Sequence, residues 1–165
     1  MDLEKIKETI QSSLGENVIL GEETTGLQPA LIINSEKITE VCLELRDNQE
    51  TYFDFLSCLT GVHHAPESNL YSVVYHLASI PFKNRLTLKV HIEHEPDRSE
   101  LPVFKSVTSV WRTAEWHERE AYDLVGIYFD GNPDLRRILL PDDWEGFPLR
   151  KDYVTADEYK GIKIN

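Results

Sequence analysis

The chain has 165 residues, of which 41% are hydrophobic, and a formal net charge of -12 at pH 7. This length suits one domain with a buried core, and the negative charge argues against nucleic acid or anionic lipid as the main partner, since both bind clustered Lys and Arg. No run approaches the roughly 18 to 20 apolar residues that span a bilayer, and the residues after Met1 are too polar for a signal peptide. We therefore expect a cytoplasmic protein without a membrane span.

The first third of the chain shows two helical stretches and two short apolar runs. Apolar residues at helical spacing over residues 2–14 predict an amphipathic helix that ends at Gly15. The apolar runs 18–20 and 31–33 flank a polar stretch and predict a strand pair. Ser35 is expected to cap a second helix. Its buried stripe consists of Ile38, Val41, Cys42 and Leu45.

Three strands and two helical stretches are expected next. Residues 52–59, 70–77 and 86–94 read as strands, and the third alternates almost strictly between apolar and polar residues, as in a sheet with one face in water. Pro102 then opens a predicted helical stretch that leads into a helix ending at Gly126. The former carries Phe104, Val107 and Trp111. This order predicts an α+β fold, with a mixed or antiparallel sheet covered by helices.

The C-terminal part of the chain reads as a long irregular segment. A turn is expected at residues 130–133, and Pro141, Gly146 and Pro148 interrupt any helix or central strand. A structureless segment of this length in a compact domain normally binds something or is disordered, and this one is too apolar for disorder. We therefore divide the chain into an α+β core, residues 1–126, and a C-terminal extension, residues 127–165, that belongs to the same domain and docks on a partner.

Charged and aromatic residues alternate along the last helix and the extension, a mixture that is enriched at protein interfaces. The candidate interface residues are Glu118, Arg119, Glu120, Asp123, Asp134, Arg136, Arg137, Trp144, Phe147, Arg150, Lys151 and Asp152. Asp123 is the i+4 neighbour of Arg119, so we expect these two to pair. A docked partner would supply hydrogen bonds to the irregular backbone. The alternative is that these charges are simply solvated.

The histidines do not form a metal site by their spacing. His63 and His64 are adjacent on a predicted strand, so their side chains point to opposite faces and cannot easily share a metal. His117 and Glu118 begin like a zinc-protease helix, but Ala121 stands where the second His is required. We expect no metal ligand in this chain.

The carboxylates and cysteines also lack a catalytic pattern. Glu118 and Glu120 diverge by roughly 200° around a helix, so they cannot converge on one substrate as the acids of a glycosidase do. Cys42 and Cys58 are too few for an iron-sulfur or zinc site, and both are expected to be buried apolar residues. Since no nucleotide-binding motif is present either, we expect no catalytic residue and no cofactor site.

Two blocks of the sequence carry a family resemblance. Glu118-Arg119-Glu120, Asp123-Leu124-Val125, Arg136 and Ile138-Leu139, at their spacing, resemble the signature of the thirty-kilodalton subunit of respiratory complex I. The block Trp-Glu-Gly-Phe-Pro-Leu-Arg-Lys-Asp-Tyr, residues 144–153, is similar to that family's next block. The chain departs from the family at Asn132, usually His or Lys, and at Phe147, commonly His.

The resemblance implies a cofactor-free subunit of the peripheral arm of a proton-translocating NADH-quinone oxidoreductase. In that enzyme electrons pass from NADH through FMN and iron-sulfur centres on other subunits to quinone. The expected role is assembly, without catalytic activity in the isolated chain. The expected partners are other peripheral-arm subunits, especially the quinone-site subunit that resembles a hydrogenase large chain, on the cytoplasmic side of the inner membrane.

Two other functions remain open from the sequence. The nearer one is the equivalent subunit of a membrane-bound, energy-conserving hydrogenase, which would keep the fold and change the enzyme. The more distant one is a free-standing hydrolase that uses the carboxylates Glu118, Glu120 and Asp123.

Overall fold

The computed structural model describes residues 3–24, 28–65, 68–94 and 100–164. The elements in chain order are α1 (Leu3–Leu14), β1 (Ile19–Glu23), β2 (Ala30–Ile33), α2 (Ile38–Asp47), β3 (Phe55–His63), β4 (Leu70–Ser79), β5 (Asn84–Glu93), β6 (Val103–Lys105), α3 (Ala114–Val125), β7 (Tyr128–Asp130), β8 (Glu158–Tyr159) and β9 (Ile162–Lys163). The predicted first helix is confirmed from residue 3 onward, and residue 2 lies outside the described residues.

The main sheet has the strand order β1-β2-β5-β4-β3. All neighbours are antiparallel except β2 and β5, which pair in parallel. The predicted pairing of the first two apolar runs is confirmed, because β1 and β2 form a hairpin in which Ile19 lies opposite Ile33. The mixed sheet and the helices confirm the predicted α+β class.

One apolar cluster joins the helices to one face of the sheet. Leu86, Leu88 and Val90 of β5 are buried in it, as their alternation predicts. Thr87 is one of the alternating polar residues of β5, which are expected to face water, but it is also buried. Its hydroxyl lies on the open face of the sheet, where it contacts the side chains of Gln28 and His76. The prediction for the cysteines is half correct. Cys42 is buried, but Cys58 is only half-buried.

Two local predictions are wrong. The cap of the second helix is not Ser35: Asn34 accepts a hydrogen bond from the Glu36 N–H at 3.0 Å, and a 3₁₀ turn, Ser35–Lys37, precedes α2. The stretch after Pro102 is not helical. Residues Val103–Lys105 form β6, which pairs in parallel with β7, so a partner 25 residues away overrides the local helical pattern.

The change from packed to irregular structure comes later than residue 126. Ile127 and Phe129 are buried in the core, and β7 ends at Asp130. From Gly131 the extension runs through turns until β8 and β9 form a short hairpin. Within the described residues, no helix is both long and apolar enough to cross a lipid bilayer.

Candidate functional site

Helix α3 lies close against the edge strand β3, and a glycine permits the contact. A Cβ added at Gly61 would lie 2.7 Å from Ile127 Cδ1 and 3.3 Å from Ala121 Cβ. Gly126 ends the helix in the left-handed conformation at φ 73° and donates its N–H to the Tyr122 carbonyl. The helix is thereby fixed on the sheet with its C-terminus toward the extension.

Asp123 of α3 is the main attachment point of the extension. Its carboxyl group is fully buried. One oxygen, Oδ2, accepts the backbone N–H groups of Ile138, Leu139 and Leu140 at 3.0, 2.7 and 2.9 Å, and the other accepts from Arg137 Nη1 at 2.8 Å. The carboxylate therefore accepts three consecutive N–H donors of an irregular backbone. The sequence had led us to expect a partner protein to supply these hydrogen bonds.

The same contacts set the charge state of Asp123. Burial by itself raises the pKa of a carboxyl group, but the three backbone donors and the Arg137 guanidinium outweigh it, so the pKa of Asp123 is lowered. Asp123 is therefore a carboxylate at neutral pH. It holds the extension as an anion.

Arg137 connects both ends of a loop in the extension. Besides its ion pair with Asp123, its Nη2 donates to the carbonyls of Trp144 and Gly146 at 2.9 and 3.0 Å. Its guanidinium also lies 5.3 Å from the centre of the Phe147 ring. A planar fork is suited to this task because it offers several donors in fixed directions.

Arg119 does not pair with Asp123, so that prediction is wrong. Its guanidinium donates instead to the carbonyls of Arg136 and Arg137 at 3.2 and 3.0 Å, and its closest carboxylate contact is Asp134 at 3.8 Å. The i+4 spacing is correct for an ion pair, but the extension lies across this face of α3, and both side chains bond to the extension instead of to each other.

Glu118 attaches the start of the extension to the segment after β6. It is fully buried, and its carboxyl oxygens accept the Val107 N–H at 2.8 Å, the Ser106 hydroxyl at 2.9 Å and the Asn132 amide at 2.8 Å. No cation contacts it among the described residues. Burial raises the pKa of Glu118, and the three donors only partly offset this.

Arg150 and Phe147 cover the C-terminus of α3. Arg150 donates to the carbonyls of Val125 and Gly126 at 2.8 and 3.1 Å, where a cation is favoured by the helix dipole. Its guanidinium also lies 4.8 Å from the centre of the Phe147 ring and 5.5 Å from that of Tyr71. The aromatic residue at position 147 therefore fills space between two arginines.

The two adjacent histidines serve opposite faces of the sheet, as predicted. His63 is buried and stacks on Tyr71 with ring centres 4.4 Å apart, and its Nδ1 accepts the Lys151 N–H at 3.3 Å. Burial lowers the pKa of His63, consistent with a neutral ring that accepts this bond. His64 instead contacts the Ser72 hydroxyl at 2.8 Å. In the described part of the chain no His, Cys, Asp and Glu cluster could hold a metal ion.

The last part of the extension folds on itself. Trp144 packs on Tyr159 with ring centres 5.1 Å apart, and the Tyr159 hydroxyl donates to Asp143 at 2.9 Å. Asp143 also pairs with Lys160 at 3.1 Å. Trp144, expected at a partner interface, is thus half-buried within this chain.

The predicted interface residues therefore fall into two groups. One group is turned inward and holds the extension to α3: Glu118, Arg119, Asp123, Arg137, Trp144, Phe147 and Arg150. The other group reaches the surface wholly or in part: Glu120, Asp134, Arg136, Lys151 and Asp152. The second group, together with the exposed parts of the half-buried residues, is available to another protein.

Three exposed apolar residues beside this second group were not among the candidates. Leu139 is 61%, Leu149 is 60% and Trp116 is 58% exposed. The backbone N–H groups of both leucines are hydrogen-bonded to α3. The Leu139 N–H donates to Asp123 Oδ2 at 2.7 Å, and the Leu149 N–H donates to the Leu124 carbonyl at 2.8 Å. Their apolar character, within a segment that lacks regular secondary structure, was the feature of the sequence that could have identified them as interface candidates.

Comparison with known proteins identifies the family. The family model described as respiratory-chain NADH dehydrogenase, 30 Kd subunit, matches residues 31–159. The chain belongs to this family. The predicted resemblance is therefore confirmed over most of the chain.

Two curated relatives are named as subunits of NADH-quinone oxidoreductase. The one from Chlorobium phaeobacteroides is 43% identical over 81% of this chain and 77% of its own length. The one from Chloroherpeton thalassium is 46% identical over 73% of this chain. The match covers 48% of the Chloroherpeton protein, so this chain spans about half of that relative.

A solved structure shows the same fold. A chain of the membrane-bound sulfane sulfur reductase, an archaeal respiratory membrane complex, superimposes with a TM-score of 0.72 over 92% of this chain and 84% of its own length. The two sequences are 21% identical, so this likeness concerns the fold alone.

Proposed function

We propose that this chain is a cofactor-free subunit of the peripheral arm of a proton-translocating NADH-quinone oxidoreductase, and that it holds the quinone-site module together. In this proposal, NADH is oxidised through FMN and iron-sulfur centres on other subunits, and quinone is the final acceptor. The chain itself contributes binding surfaces and no reacting group. The observation that carries the proposal is the extension, which is fixed to α3 by Asp123 and Arg137 and exposes Leu139 and Leu149.

Attachment within the chain supports a docking role. A segment that is disordered before binding must lose conformational freedom when it binds, and this costs affinity. Here the buried Asp123 carboxylate and three guanidinium groups fix the backbone in advance. The exposed leucines are therefore presented in a defined arrangement, which is how a pre-organised interface gains affinity.

The proposed partners are the other peripheral-arm subunits, especially the quinone-site subunit that resembles a hydrogenase large chain. The complex would lie on the cytoplasmic side of the inner membrane. The exposed part of the extension combines apolar side chains with Arg136, Lys151 and Asp152, and this composition suits a protein surface rather than lipid.

The alternatives differ in what supports them. Membership of a hydrogenase complex would leave the fold unchanged, but both relatives described above are named as NADH-quinone oxidoreductase subunits. The hydrolase hypothesis has no support in the geometry, because Glu118 and Asp123 are fully buried and engaged by donors, whereas Glu120 is exposed.

A double variant tests the docking role. Leu139→Asp with Leu149→Asp places two charges on the proposed interface at side chains that are 61% and 60% exposed. We expect the amount of assembled complex on native gels to fall at least about tenfold, since each Asp would place an unpaired charge in a buried interface. The NADH-to-quinone rate per assembled complex should remain within about twofold of the wild type.

The matched control is Leu20→Asp with Val103→Asp, two residues of similar exposure on β1 and β6. This control should assemble normally, and both double variants should melt within a few degrees of the wild type as isolated chains. Normal assembly of the Leu139 and Leu149 variant, or normal abundance with a rate reduced tenfold, would contradict the docking role.

A further inference from the structure

The turn between β4 and β5 exposes large apolar side chains. Residues 80–83 read Ile-Pro-Phe-Lys, and Ile80 and Phe82 are 64% and 47% exposed. Turns normally carry small polar residues, because these suit solvent and tight backbone angles. Phe55, at the start of β3, is a third large apolar residue and is 44% exposed. We call these three residues the hairpin patch.

The strand register brings the hairpin patch together. Phe55 lies opposite Ala78 of β4, and Ala78 lies opposite Arg85 of β5. The backbone N–H of Ile80 donates to the Asp54 carboxyl group at 2.9 Å, which ties the turn to the residue before Phe55. The three residues therefore lie at one end of the sheet, where the side chains of Phe55 and Arg85 line the same groove.

A groove runs from this end along the open face of the sheet. It has a volume of about 760 Å³, and its walls include Phe55, Val74, Ala78 and Arg85. No carboxylate is among the residues that line it, although the whole chain carries a net charge of -12.

Two cations, Arg85 and Lys89, line the groove, and a third, Lys83, lies in the turn at its end. Lys89 pairs with Glu23 and is neutralised. By contrast, neither Arg85 nor Lys83 makes an ion pair with any residue that the structure describes. One carboxylate, Asp54, lies beside the turn and accepts the Ile80 N–H. The end of the groove thus offers apolar surface together with two cationic side chains and one carboxylate.

We propose that the hairpin patch and the adjoining groove bind an acidic segment of another subunit, in which a carboxylate is next to an apolar side chain. The carboxylate pairs with Arg85, and the apolar side chain packs on Phe55 and Phe82. Two cations beside a single carboxylate suit a short acidic peptide, whereas anionic membranes and nucleic acids require larger basic clusters. Phe55 begins β3, whereas the extension contacts His63 at the other end of that strand, so the groove would be a second contact. The proposal rests on the proposed function in that the segment belongs to the same complex.

Photocrosslinking in the assembled complex tests this inference. Phe82→p-benzoylphenylalanine keeps an aromatic ring at the site and allows the linked peptide to be identified by mass spectrometry. We expect the product to contain a segment of another subunit with Asp or Glu beside an apolar residue. Arg85→Glu in the same background should lower its yield at least about tenfold, as expected when one partner of an interfacial charge pair is reversed.

The matched control is Arg112→Glu, which reverses an exposed arginine just before α3 and should leave the yield within about twofold. Native gels of the same samples separate the two proposals. If the complex assembles but position 82 links to lipid, to a second copy of this chain or to nothing, the groove assignment is wrong while the docking role of the extension stands. An unchanged yield in the Arg85 variant would also overturn it.

Discussion

At the level of single residues, the extension depends on buried carboxylates rather than on apolar burial alone. Asp123 gives residues 138–140 the acceptors that a neighbouring strand would otherwise provide. Glu118 has the same kind of environment without a cation among the described residues. The two carboxyl groups on one helix therefore have pKa shifts of opposite sign.

Asp123→Asn should destabilise the chain strongly. The amide cannot replace the charge that Arg137 pairs with, and it turns one acceptor into a donor beside backbone N–H groups. Loss of one partner from a buried pair costs roughly 3 kcal/mol or more, which urea unfolding of the isolated chain would measure. Asp134→Asn is the control, because this carboxylate is 43% exposed and its pairs should contribute less than about 1 kcal/mol. Equal losses in the two variants would refute the role of Asp123.

The pH dependence of stability should report Glu118. Its pKa is raised in the folded state, so the folded chain binds the proton more tightly than the unfolded chain does. The stability from this group is complete below its ordinary pKa of 4.5 and is lost as the pH rises through the higher folded value. The difference in unfolding free energy between wild type and Glu118→Gln should therefore fall as the pH rises above 4.5. A difference that rises with pH would contradict this assignment.

At the level of elements, α3 and the extension form one unit that closes around the end of the helix. Arg150 donates hydrogen bonds to the last carbonyls at the end of α3, and Phe147 packs against the capping residue Gly126. The closeness of these contacts leaves no room for a side chain at that glycine.

Gly126→Ala should be more damaging than the equivalent change at another left-handed glycine. An added Cβ would lie 2.6 Å from Phe147 Cδ2 and 2.8 Å from Arg150 Nη2. We expect a loss of roughly 3 kcal/mol from backbone strain and collision together, with faster amide exchange at residues 147–150. Gly161→Ala is the control, since φ there is 80°, close to the 73° of Gly126, and nothing lies within 4 Å, so strain alone of about 1 kcal/mol is expected. Similar losses of unfolding free energy in the two variants would show that Phe147 and Arg150 do not restrict the space for a side chain at position 126.

At the level of the whole molecule, the absence of cofactor motifs is a prediction that chemistry can test. The purified chain should be colourless, without flavin absorbance and without stoichiometric iron or zinc in elemental analysis. Its melting temperature should not change after dialysis against a chelator, because a bound metal would otherwise stabilise the folded state. About one tightly held metal per chain would overturn the assembly role.

The sequence by itself determined the features that depend on local pattern. Helix α1 and strand β5 follow from the spacing of apolar residues, and the stop at Gly126 follows from the need for a left-handed residue. The family signature is equally local, because it consists of identities at fixed spacing. The α+β class could be inferred from the order of these elements.

Only the tertiary structure decided which residues meet across long distances. Strand β6 forms because β7 is there to pair with it, and local preference pointed to a helix instead. Arg119 and Asp123 have the right spacing for a pair, yet each finds its partners in the extension. The candidate interface residues divide into exposed and buried ones for the same reason. A buried carboxylate or guanidinium cannot be told from an exposed one in the sequence, and only the path of the chain decides whether backbone groups or solvent surround it.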